Sequence, residues 1–429
     1  MKKIKLTTWI LLAMVLGILV GYICNANAPS AAAAKQIAGY FSIVTDVFLR
    51  LIKMIIAPLV FGTLVSGIAG MGNSSSIGRI GIRALGWFVT ASLISLALGM
   101  LFADVLQIGH ALNLPLPEQG AASPLNTGGF NLKDFVTHVF PSSIADAMAK
   151  NEILQILVFS LFFGFGLASL KGETAKTLIA AIDGLVHVML KVTDYVMRFA
   201  PVGVFAAIAA VITVQGFGVL ATYAKLLGGF YAGLATLWAV LIGFGYLFLG
   251  GAVFTLLKLL KEPIMLAFST ASSEAAYPKT MEQLEKFGVD NKITAFVLPL
   301  GYSFNLDGSM MYQAFAALFV AQVYNIDMSL AQQITMLLVL MVSSKGMAGV
   351  PRGSLVVVAA ILPMFHLPEA GILLIIGIDQ FLDMGRTATN VVGNGLATAV
   401  VAKWEGGLSA PRIAAPDSAP PAPALQARA

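Results

Sequence analysis

Residues 379–390 read DQFLDMGRTATN, and they say more about the fold than any other stretch of the chain. Asp379, Asp383, Arg386 and Asn390 stand at offsets 0, 4, 7 and 11, which at about 3.6 residues per turn places them on one helix face. Asn394 extends the stripe and Thr387 lies at its edge. The surrounding segment is apolar, so the stripe reads as charge inside a membrane span. A charge at mid-bilayer costs about 2.5–3.5 kcal/mol on insertion scales, so such residues are rare and mark function. The plain alternative is an Asp–Arg pair joining two helices, but two carboxylates, one guanidinium and two amides exceed what a joint needs. The planar fork of Arg386 matches a carboxylate. Asp383, one turn away, suits an ammonium group, and an amphoteric substrate with a second carboxylate would satisfy both.

Composition agrees with a membrane setting. The chain has 429 residues, 58% apolar and 11% charged, with a mean hydropathy of +0.87. Soluble domains are about a quarter charged, so a water-soluble enzyme is excluded, as is intrinsic disorder. There is room for about eight or more spans of roughly 20 residues. The lone Cys24 excludes a disulfide framework and a cysteine-held zinc or iron–sulfur centre. His110, His138, His187 and His366 are scattered, so no metal-ligand set is visible and no cofactor is expected. The net charge of +5 is dispersed, which reads as a topology signal rather than a nucleic-acid surface.

Apolar stretches run near 8–26, 39–70, 83–106, 151–170, 176–199, 202–213 and 225–257. The first follows MKKIK and is expected to be an uncleaved span with its basic end in the cytoplasm. The second is longer than one bilayer and is expected to tilt or kink, with Pro58 a plausible place. Residues 108–132 read as an extramembrane loop, and the Ala/Pro-rich tail 405–429 as disordered. Glu152, Asp183, Lys191, Asp194 and Arg198 are expected at helix ends, in the interface.

After residue 250 the apolar runs are cut repeatedly, by STASSEAAYP (269–278), NLDGS (305–309), SSKGMAGVPRGS (343–354) and the stripe above. Irregular backbone at membrane depth is tolerated only where protein or a watery cavity surrounds it, and paired interrupted segments point to a transporter binding site. The pattern gives hairpin 1 (252–288), a broken helix (291–323), hairpin 2 (327–366) and a last helix (371–404). The expected fold is an all-α multi-span membrane protein, with residues 1–250 as a separate set of helices and 251–404 as the core.

Asn305 and Asp307, with carbonyls exposed by unwinding, are suitable ligands for a hard cation; a helix cap is the bland alternative. Ser272 and Ser273 lead the first tip, and Gly346, Gly349 and Gly353 punctuate the second. Opposed half-helices of this kind can hold an anion on backbone N–H groups. Glu274 and Arg352 stand near the two tips, where they either pair across a gate or are solvated.

SSEAAYP, NLDGS with Tyr312-Gln313, AGVP and D...DMGRT..N, in this order, resemble the dicarboxylate/amino acid:cation symporters, over about residues 1–405. That family includes the archaeal aspartate transporters and the mammalian excitatory amino acid transporters. The resemblance implies eight transmembrane helices with two re-entrant hairpins. It further implies a homotrimer in the bacterial inner membrane and an elevator movement of the core, joined by the third and sixth helices. It implies that Arg386 grips the side-chain carboxylate of the substrate, that Asp383 takes its amino group, and that Asn390 and Thr387 complete the pocket. Ser273, Gly349 and Val350 match tip positions that contact substrate, with Ser272 beside them, and Asp379 matches an acid beside the arginine. The coupling-ion set would comprise Asn305, Asp307, Gly301, Asn390, Asn394 and Thr90, with sodium at Asn305, Asp307 and Asn394.

Departures from the family pattern bear on the coupling ion. Asn394 stands where sodium-coupled members carry an Asp, Trp87 and Ala91 replace two hydroxyl residues, and NLDGS lacks a methionine. Fewer oxygens and charges favour proton coupling, with Glu274 as the candidate carrier and sodium as the alternative. Asp383 and Thr387 favour an acidic amino acid, because the C4-dicarboxylate branch lacks the acid matching Asp383; that branch nevertheless resembles this chain at SSE and GYSFNLDG. An intramembrane enzyme would need an acid dyad or a nucleophile–base pair, and Arg386 beside Asp383 opposes a shared proton.

Overall fold

The computed structural model describes residues 6–71, 74–111, 137, 139–170, 172–217, 223–344, 353–376 and 378–410. Helices form wherever the apolar run is unbroken, because only a helix satisfies the backbone within one lipid-embedded segment. The first are α1 (Leu6–Asn27), α2 (Ala31–Met71, with Pro58 inside it), α3 (Ser74–Leu106) and the single turn α4 (Ile108–Ala111). Most of the expected loop, residues 112–132, lies outside the described residues. There follow α5 (Ile144–Lys150), α6 (Ile153–Ser169), α7 (Glu173–Met197), α8 (Ala200–Gln215) and α9 (Ala224–Leu249). Among the described residues, four helices are long and apolar enough to cross a membrane, and the pair α7–α8, bent by 50°, makes a fifth candidate.

The second half is built from shorter pieces, and each break has a local cause. Helix α10 (Ala252–Thr270) ends on Ala271 in the left-handed region, φ 48°. Ser272 then starts α11 (Ser273–Phe287) by accepting the amide of Ala275 at 3.2 Å, a side-chain N-cap. Asp290 caps α12 (Asn291–Phe304), accepting from Lys292 N at 2.9 Å. Asn305 and Leu306 are not helical, and the chain resumes as α13 (Asp307–Val323). A capping box of Ser329 and Gln332 starts α14 (Leu330–Ser343). Residues 345–352 lie outside the described residues. The chain returns as α15 (Gly353–Ile361), a 3-10 turn, the short α16 (Ile372–Ile376) and α17 (Asp379–Trp404).

The helices pack in two groups. Helices α1, α2, α6, α7 and α8 pack on one another, while α3 and α9 join the second-half helices by packing on α13 and α17. Trp87 of α3, Phe248 of α9 and Trp404 of α17 meet edge to face, with centroids 5.1–6.1 Å apart, a geometry worth about 0.5–1.5 kcal/mol per pair. The groups touch where α11 and α12 lie on α2, and where α10 lies on α1 and α8.

Two sequence expectations change. The tail expected to be disordered from residue 405 is held as far as Ala410. Glu405 takes Arg79 and Arg83 of α3, each at 2.8 Å. The backbone of Gly407 and Ser409 bonds Asp290 and Gly288, both at 2.9 Å. Hydropathy could not foresee this, because polar pairing holds the segment. Asp183, expected at a helix end, lies inside α7 and accepts a hydrogen bond from Ser66 of α2.

Helices α13 and α17 cross at van der Waals limits. A Cβ on Gly308 would collide with the backbone of Arg386, and one on Gly393 with the carboxylate of Asp307. Gly308→Ala is therefore expected to destabilise the detergent-purified protein by about 1–3 kcal/mol in thermal unfolding, as overpacking does. Gly86→Ala, facing open space, should be near neutral. Equal behaviour of the two would refute this crossing.

Candidate functional site

The polar stripe of α17 faces the break in the α12–α13 helix, and its centre is Arg386, 1% exposed. Its Nη1 donates to Asp379 Oδ1 at 2.8 Å, and its Nε donates to Asp383 Oδ1 at 2.8 Å. The ring of Tyr312, from α13, lies against the guanidinium with Cζ 4.2 Å from the ring centroid. The Tyr312 hydroxyl donates to the same Asp379 oxygen at 2.9 Å. Thr387 donates to Asp383 at 3.0 Å. A buried guanidinium is tolerable only when paired and hydrogen-bonded, and here two carboxylates and a π-face do that. The two acids differ: the Asp379 side chain is 0% exposed and that of Asp383 is 16% exposed. Asp383 is therefore the carboxylate within a ligand's reach.

Asn390 is committed to α13. Its Oδ1 accepts from Gly308 N at 2.9 Å and Ser309 N at 3.3 Å, and its Nδ2 donates to Ser309 Oγ at 3.1 Å. First-turn amides of a helix have no partner of their own, so this amide closes the break at membrane depth. One turn on, Asn305 Nδ2 donates to Asp307 Oδ2 at 3.1 Å and to Asn394 Oδ1 at 3.3 Å. Gly301 completes this cluster, since a Cβ on it would strike Asn394 Oδ1. The buried Asn305 Oδ1 and Asn394 Nδ2 make no hydrogen bond. Turning the Asn305 amide about would aim its oxygen beside those of Asp307 and Asn394. Three such oxygens suit a hard cation, although such ions take six or more.

Other expected residues lie elsewhere. Thr90 is exposed and donates to Gly86 O at 2.8 Å, whereas Phe88 is the residue of α3 that reaches Gly301. Ser272, Ser273 and Glu274 form the first tip, half-buried, and Glu274 lies within electrostatic reach of Lys53 on α2 and of Glu152. Glu152 stands at the start of α6, at a helix end as expected. Gly349, Val350 and Arg352 lie outside the described residues, as does any pairing of Glu274 with Arg352. Tyr312 and Ser309 were not singled out as site residues in the sequence, where Tyr302 and Tyr312 flank NLDGS at equal distance.

The chain matches the sodium:dicarboxylate symporter family over residues 6–404. It is 42% identical over 414 residues to a proton/sodium-glutamate symport protein of Bacillus caldotenax, covering 95% of this chain and 96% of that protein. It is 41% identical over 414 residues to a proton/glutamate-aspartate symporter of Escherichia coli (strain K12), covering 94% of each. Identity is 38% over 424 residues to a C4-dicarboxylate transport protein of Anaeromyxobacter dehalogenans (strain 2CP-C), covering 96% and 94%.

Removing one partner of a buried ion pair costs about 3–5 kcal/mol. Asp379→Ala should therefore destabilise the purified protein by about that much in thermal unfolding. Tyr312→Phe, which keeps the ring and loses one bond to a charged group, should cost about 1.5–3 kcal/mol. The reverse order would show that the tyrosine, not the ion pair, holds the site together.

Proposed function

The chain belongs to the sodium:dicarboxylate symporter family, and we propose that it imports glutamate and aspartate together with protons. The protein is a multi-pass membrane transporter and not an enzyme. As a cation-coupled symporter it takes small anions of the glutamate/aspartate or C4-dicarboxylate kind, classes between which its relatives divide at similar identity. The observation that carries the narrower reading is Asp383, a partly exposed carboxylate one turn from the buried Arg386. A substrate carboxylate entering there competes with Asp383 for Arg386 Nε. Asp383, once displaced, can accept an ammonium that glutamate and aspartate have and succinate lacks.

Charge balance supports coupling to a cation. Asp307, Asp379, Asp383 and Arg386 carry a net double negative charge when ionised, and an acidic amino acid adds a third. Uncompensated negative charges are costly to move through a low-dielectric setting, which favours a cation travelling with them. Three side-chain oxygens at Asn305, Asp307 and Asn394 make a thin sodium site, which favours the proton, and Glu274 at the first tip is its candidate carrier.

In the full reading, eight spanning helices and two hairpins form a homotrimer in the bacterial inner membrane. The α3, α9–α17 group is the moving core, and α1, α2 and α6–α8 form the scaffold. One feature favours an assembly: His187, Lys191 and Asp194 are exposed along one face of α7, with Arg198 at its C-cap. Such a face is unsuited to lipid, and another copy would cover it.

The substrate reading is tested by uptake into proteoliposomes. Arg386→Ala should abolish uptake of glutamate, aspartate and succinate alike. Asp383→Asn should weaken both amino acids at least about tenfold, the ~1.4 kcal/mol equivalent of a lost charge-assisted contact, while sparing succinate. Equal losses for amino acids and succinate would place the protein with the C4-dicarboxylate carriers.

The coupling reading predicts uptake that follows an inward proton gradient, persists without sodium and is uncoupled by Glu274→Gln. Accumulation only with external sodium, indifferent to pH, would transfer the coupling role to Asn305, Asp307 and Asn394.

A further inference from the structure

A cavity of about 350 Å³ lies on the far side of α17 from the polar stripe. Its walls include Leu11 of α1, Tyr231, Ala235 and Trp238 of α9, Phe268 of α10 and Gly385 of α17. We propose that it is a hydrocarbon site, occupied by one acyl chain of a bilayer phospholipid.

The first argument is that the cavity offers water nothing. Its polar lining atoms are engaged: Tyr231 Oη donates to Phe381 O at 2.6 Å, Trp238 Nε1 to Thr389 Oγ1 at 2.8 Å, and Thr389 Oγ1 to Gly385 O at 2.9 Å. A buried water needs two to four polar partners, and apolar cavities without them stay dry and take apolar guests. The volume falls at the lower end of the ~300–1,000 Å³ of small-molecule sites.

The second argument is where the cavity opens. Leu11 is 43% exposed, and its neighbours Leu12 and Val15 are 46% and 55% exposed. They belong to the outward face of the span Thr8–Asn27, of whose most apolar window only 22% is buried inside the protein. Ala235 on α9 is exposed as well. The mouth therefore lies in the belt where the surrounding medium is hydrocarbon. No charged side chain lines the cavity, so a headgroup stays outside and only the chain enters.

Transfer from bilayer to cavity gains no hydrophobic free energy, since lipid tails are already apolar. The gain is the set of dispersion contacts that an empty cavity lacks. The guest would touch α1 of one helix group and α9, α10 and α17 of the other, filling the seam between them directly behind Arg386. This assignment rests on the cavity alone and stands whatever the transported substrate proves to be.

The test uses the full chain in nanodiscs of phospholipid brominated along its acyl chains, which quench tryptophan on contact. The signal of Trp238 is the difference between the parent protein and Trp238→Phe. Bromolipid should quench Trp238 in the parent, and Ala235→Phe, which fills the cavity, should abolish that quenching. Leu11→Phe, which narrows the mouth, should reduce it and serves if the first variant fails to fold. Unchanged quenching in both variants would mean that Trp238 senses only the lipid around the protein, and the proposal falls. Quenching of Trp238 by aqueous acrylamide instead would show a water-filled cavity and overturn it equally. If neither quencher reaches Trp238, protein covers the mouth and the proposal fails.

Discussion

Everything in the second half is arranged around one guanidinium buried between two helices. An unpaired charge there would cost several kcal/mol, so the chain brings Asp379 and Asp383 from the same helix and Tyr312 from the facing one. To place Tyr312 against Arg386, α13 must begin where it does and approach α17 as closely as backbone allows. That explains Gly308 and Gly393 at the crossing and Asn390 on the first amides of α13. The broken helix and the charged stripe are therefore one construction.

The same construction leaves the site self-satisfied. Arg386 has carboxylate partners without any ligand, so on the proposed reading recognition is exchange rather than capture. An incoming anion gains little by meeting Arg386 unless a displaced carboxylate finds a new partner of its own. Asp379 is fully buried and held by Tyr312, whereas Asp383 is partly exposed. The distinction follows from burial and hydrogen bonding alone.

The sequence made much of this legible. Offsets of 4, 7 and 11 on α17 put the stripe together, because helical periodicity is a property of the backbone and needs no neighbours. The breaks at 271–272 and 305–306 were legible because polar and small residues interrupt apolar runs that are otherwise unmistakable. Contacts across helices were not. Tyr312 under Arg386, Asn390 on Gly308 and Phe88 at Gly301 depend on how two helices rotate about their axes, which no linear spacing encodes. Thr90 was misplaced for the same reason, since α3 turns Phe88 inward and leaves Thr90 outside. The segment from Glu405 to Ala410 was misjudged because composition detects the absence of a hydrophobic driving force and does not register ion pairs.

That last segment has a further consequence. Through Glu405 it is bound to α3, and through Gly407 and Ser409 to the turn between α11 and α12. These elements all pack with α17, and α11 and α12 lie on α2 as well. Anything attached beyond Ala410, whether the natural Pro-rich extension or a fused reporter, is thus moored to the arginine-bearing body.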